Sequence, residues 1–102
     1  MNREHIERMT KKFSDQGKLI EAGWFSMVLA CELEDAPDIQ LKEMRMAFFA
    51  GAQHLFGSIM SILDPGEEPT DKDLERMDLI QKELDAFIKE FTDENIPTEG
   101  SA

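Results

Sequence analysis

From Met46 to Leu63 the sequence runs for eighteen residues without a formal charge, His54 being counted as neutral. Nothing else in the chain narrows the possible folds as far. The run is too long for an ordinary strand, and its apolar positions do not alternate, so it is not read as sheet. Its length touches the lower edge of a membrane-spanning helix. Gln53, His54, Ser58 and Ser61 dilute it, however, and the flanking segments are acidic and amphipathic, which weighs against a bilayer. The remaining solution is a helix that is apolar on all sides, a kind that belongs in the middle of a bundle or between subunits. Pro37 precedes it and Asp64-Pro65-Gly66 stops it, placing the helix near 37–63.

Its neighbours are read from the same periodicity. Ile6, Met9 and Phe13 share a face at helical spacing and predict a short amphipathic helix over 3–15, with Gly17 either ending or bending it. A second helix, 18–34, is apolar on most sides, with charges only near its ends. Asp35 is the expected N-cap after it, with Pro37 in the following first turn. Thr70, followed by Asp73, has the pattern of a capping box. It opens the clearest amphipathic stripe of the chain, over 71–92: Leu74, Met77, Ile80, Leu84, Phe87, Ile88 and Phe91. Leu79 is the exception, an apolar residue on the charged side. The expected architecture is all-α: a small four-helix bundle-like domain over 1–93, with a short N-terminal helix, a long apolar central helix and a flexible tail over 94–102.

Small residues suggest how the helices meet. Ala22, Ser26 and Ala30 line one side of the second helix, and Ala47, Gly51 and Gly57 recur along the third, a spacing that lets backbones approach closely. Two amphipathic helices can cover only part of two apolar ones, so the expectation is a homodimer built mainly on helices two and three. Trp24, Met27, Phe48, Phe49, Phe56 and Leu79 are the interface candidates. Arg45, the last charge before the apolar run, is expected to pair with Glu21 or Glu32, to face solvent, or to bind a partner.

The net charge is −11, and it is uneven: residues 64–102 hold thirteen acids against four bases. Direct nucleic-acid binding is therefore not expected, since phosphate neutralisation needs clustered Lys and Arg. An acidic face suits a basic protein partner, or a mimic of nucleic-acid phosphate with carboxylates such as Asp71, Glu75, Asp78 and Asp85 in rows. A single cysteine and no positive-then-apolar opening segment lead to an expected cytoplasmic location, with no membrane partner.

No catalytic constellation emerges. Cys31 lies in an apolar segment and is read as a buried small hydrophobe, although a Cys31–His54 pairing across helices two and three is conceivable. Two histidines and one cysteine do not have zinc spacing, and Glu67, Glu68, Asp71 and Asp73 lack the glycine and terminal glutamate of a calcium loop. No metal, cofactor or catalytic residue is expected. The one polar site considered is Arg45, Gln53 and His54, with Trp24 as a possible wall of a pocket near His54.

The stretches Gly17–Trp24, Glu43–Phe56 and Leu63–Thr70 resemble small uncharacterised proteins of bacterial and prophage genomes. The resemblance implies a binder or inhibitor rather than an enzyme, and transfers no site residue. The leading expectation is a non-enzymatic protein–protein interaction or structural module acting as a homodimer. The rivals are a nucleic-acid-mimicking inhibitor of a DNA- or RNA-binding protein, and a small helical ligand binder or enzyme with a pocket near His54.

Overall fold

A computed structural model describes residues 1–63, 65, 66 and 68–95. Those residues form four helices: α1 (Arg3–Asp15), α2 (Leu19–Ala30), α3 (Asp38–Ile62) and α4 (Asp71–Asn95), with no strand among them. The chain divides into two compact units, Met1–Ile59 and Met60–Ala102.

In the first unit each helix end has a visible cause. The Asn2 side chain caps α1 by accepting from the His5 N–H at 3.1 Å. At the other end Gly17 takes a φ of 76°, its N–H donates to the Ser14 carbonyl, and the Lys18 N–H donates to the Phe13 carbonyl. This is a Schellman closure, and it ends α1 rather than bending it. α2 closes in the same way, with Glu32 in place of glycine at a φ of 53°: the Glu32 N–H donates to Leu29 and the Leu33 N–H to Val28. The helix expected to reach residue 34 therefore stops at Ala30. α3 begins at Asp38, with the Pro37 carbonyl accepting from the Leu41 N–H, so the expected Asp35 cap lies outside the helix.

Ile6 from α1, Trp24 and Val28 from α2 and Leu41 from α3 form the buried core, with Phe25, Leu33, Met44, Phe48 and others packed around them. Phe13 stacks on Phe25 at 5.8 Å and Phe48 tilts against Trp24 at 6.0 Å. Gly23 is the close approach: a Cβ there would stand 3.3 Å from the Phe48 ring. Gly51 and Gly57, expected to give close packing, have nothing within 4 Å of such a position among the described residues. Of the small-residue face on α2, Ala22 is buried while Ser26 and Ala30 are exposed.

The second unit holds the last residues of α3, the connector and α4. The Thr70 hydroxyl accepts from the Asp73 N–H, and the Asp73 carboxylate accepts from the Thr70 N–H, both at 3.1 Å. The capping box expected from the sequence is thus formed, around an Asp73 that is 4% exposed. Arg76 donates to the Ile62 carbonyl and ties α4 to the end of α3. α4 runs three residues beyond the expected end at 92, and the rest of the expected tail, 96–102, lies outside the described residues.

Of the two places expected for the central helix, the middle of a bundle and the space between subunits, the first is not seen in the single chain. The central helix is not enclosed: Leu41 is its only fully buried residue, while Met46, Phe56 and Met60 are each 60% or more exposed. The all-apolar run reflected how few charges the segment carries, not contact on every side. The short helix is also not unique, because α2, at 12 residues, is shorter than α1 at 13. Among the described residues, no helix is long and apolar enough to cross a membrane.

Candidate functional site

The most distinctive surface of the second unit is the apolar stripe of α4. Leu74, Leu84, Phe87, Ile88 and Phe91 are between 46% and 62% exposed. Leu84, Phe87, Ile88 and Phe91 stand at i, i+3, i+4 and i+7 and so form one continuous ridge, with the Phe87 and Phe91 rings stacked at 6.4 Å. On this helix, expected to help cover the others, Leu84, Phe87 and Ile88 are themselves about half exposed. Leu79, on the charged side, is 57% exposed.

α4 is acidic around that ridge, with nine carboxylates against four basic side chains between Asp71 and Asn95. Lys82 pairs with Asp78 at 2.8 Å and Lys89 with Asp93 at 3.6 Å, both one helical turn apart. The hydrogen bond to Asp78, and then its charge, raise the Lys82 pKa above its ordinary value. Asp85 accepts from Gln81 at 2.9 Å. At the foot of α4 a cleft of about 310 Å³ is lined by Leu63, Pro69, Asp73, Leu74 and Met77, among others.

The first unit has an open apolar groove of its own, about 470 Å³, where the turn between α1 and α2 meets α3. Gly17, Lys18, Leu19, Ile20 and Glu21 form one wall, and Phe49 and Phe56 the other. Leu19 is 72% exposed although it is the first residue of α2. The Lys12 and Lys18 ammonium groups stand over the Phe13 ring at 5.8 and 5.6 Å, so two cations mark this corner. Glu21, by contrast, is neutralised: Arg45 reaches its carboxylate at 2.6 Å while its guanidinium lies 4.5 Å from the Phe49 ring centre. Of the roles weighed for Arg45, pairing with Glu21 is the one the geometry displays.

The remaining candidates are scattered. Trp24 is 3% exposed and belongs to the core; Met27, Phe48 and Phe49 are half-buried against it; Phe56 is 63% exposed on the groove. Gln53 and His54 are exposed on α3, and neither they nor Trp24 line the groove. Cys31 is exposed, contrary to its expected burial, because the early end of α2 leaves it in the turn. Among the described residues no group of three or more His, Cys, Asp or Glu side chains is arranged to hold a metal ion. Sequence reasoning missed the groove because it forms around a helix end at Gly17, whose neighbours Leu19 and Ile20 were counted as ordinary members of an apolar helix. In comparisons of the chain with family models, curated proteins and solved structures, nothing matched.

Proposed function

We propose that the chain is a non-enzymatic protein–protein interaction module that works as a homodimer. The observation that carries this reading is the apolar stripe of α4, where Leu84, Phe87 and Ile88 are about half exposed along one ridge. Contiguous exposed apolar surface of this kind on a protein with a net charge of −11 is characteristic of a contact face. A second copy is the simplest occupant, since two-fold dimers are the commonest assemblies. Exposed large apolar side chains also stand on helices two and three, at Leu19, Ile20, Met46, Phe56 and Met60, the helices expected to carry the contact.

The phosphate-mimic reading has less support. Asp78 and Asp85, two of the carboxylates it would use, are engaged by Lys82 and Gln81 along the helix surface, and lysines interrupt the row.

The test is Phe87→Glu. Phe87 is 62% exposed, so the folded chain does not depend on it, and helicity by circular dichroism should stay as in the wild type. Light scattering coupled to size exclusion should give a mass of twice 11.7 kDa for the wild type and of 11.7 kDa for the variant. Equal masses for the two proteins would remove the stripe from the contact.

A further inference from the structure

We infer that two copies of the chain meet along the outward side of α3, antiparallel, about a two-fold axis at Gln53. This rests on the homodimer reading above and places its axis, whatever α4 adds to the contact. Met46, Ala50, Gln53, Gly57 and Met60 recur at alternating intervals of four and three residues, and fall within about 80° of one another around the helix. All five are exposed. They lie on one continuous helix, Asp38–Ile62, so helix geometry alone aligns them. Leu41, Met44 and Phe48, which belong to the core or pack against it, occupy the opposite side.

A helix with one side on a core carries its charges on the other. α1 does so, with Glu4, Glu7, Arg8, Lys11 and Asp15 all exposed. From Met46 onward α3 carries none, His54 being neutral, and Met46, Phe56 and Met60 are 60–64% exposed. Two chains of net charge −11 can approach along this side without opposing like charges, whereas α4 presents nine carboxylates against four bases. A second copy is the occupant that suits such a side, because the seam is self-complementary. Met46 and Met60 stand seven residues to either side of Gln53. Antiparallel pairing therefore sets Met46 of one copy beside Met60 of the other, and each Gln53 beside its symmetry mate. Two facing glutamine amides exchange donor and acceptor. Ala50 and Gly57 let the backbones come close, and a Cβ at 57 would meet nothing within 4 Å among the described residues.

The area is modest. About 21 Å of helix is engaged, and its exposed side chains offer roughly 500 Å² per copy, or about 1,000 Å² in all. That is the low end for a specific interface, so the contact on α3 should dissociate in the micromolar range.

Gly57→Glu puts a charge on the seam, and glutamate is the better helix former, so helicity by circular dichroism should hold. Gln40→Glu adds the same charge at an exposed position of α3 before the seam. In sedimentation equilibrium the dimer should weaken about a hundredfold or more in Gly57→Glu, and less than about threefold in Gln40→Glu. A Gly57→Glu protein that dimerises as tightly as wild type overturns this inference while leaving the homodimer standing. Orientation is read by mild oxidation in a Cys31→Ser background, Cys31 being exposed. Gln53→Cys should cross-link to itself, whereas Met46→Cys should cross-link to Met60→Cys and not to itself. Self-cross-linking of Met46→Cys would mean a parallel pair and overturn the antiparallel axis. A wild-type protein that is itself monomeric at about 100 µM removes the homodimer reading and this one with it.

Discussion

Glu32 occupies a backbone position that ordinarily selects glycine. Its φ of 53° closes α2, and a left-handed residue with a Cβ costs roughly 1–2 kcal/mol relative to the right-handed region. Glu32→Gly removes that strain but adds freedom to the unfolded chain. The net expectation is stabilisation of about 0.5–1 kcal/mol, read as a rise in the denaturant midpoint at unchanged slope. The same position explains a misreading. A glycine at residue 17 announced the end of α1, whereas a glutamate at 32 announces nothing, so α2 was extended and Cys31 placed inside it. Arg45 was legible as a pairing residue because it is the last charge before an uncharged run, although its contact with Phe49 was not. Arg45→Ala should cost about 0.5–1.5 kcal/mol, as the ion pair with Glu21 is partly exposed and the cation–π contact adds modestly to it. Arg45→Lys should recover only part of this, since an ammonium cannot lie flat on the ring while reaching the carboxylate.

Elements whose ends carry side-chain signals were read closely, and α4 is the clearest case. Thr70 and Asp73 stand three apart at its start, and both reciprocal bonds form. Thr70→Ala should cost about 1 kcal/mol and raise amide exchange in the first turn of α4 roughly fivefold, with little change in the buried amides of α1 and α2. Uniform protection loss across the whole chain would instead mean that the two units unfold as one. Periodicity also identified which residues of α4 share a face. It did not reveal how exposed Leu84, Phe87 and Ile88 are, because an amphipathic pattern records that a side is apolar and not what covers it. On α3 the lack of charge is compatible with the interior of a bundle and with a subunit interface. Within the first unit, the one buried residue of α3 is Leu41, before the uncharged run, and only Phe48 and Phe49 at the start of that run pack against the core. Burial follows from which helices meet, and that is not written in the composition of one of them.

Across the whole chain, charge and apolar surface are distributed in a way that suits self-association. The acidic excess lies after residue 63, most of it on α4, the helix that also carries the half-exposed apolar stripe. Sequence alone led to the expectation of a dimer through the surplus of apolar residues on helices two and three, and exposed apolar side chains stand on α2, α3 and α4 alike. Sedimentation equilibrium of the wild-type protein between about 1 and 100 µM, a range that resolves dissociation constants typical of specific dimers, tests the central claim most directly. The account predicts a mass that approaches twice 11.7 kDa as concentration rises; 11.7 kDa at every concentration would contradict it.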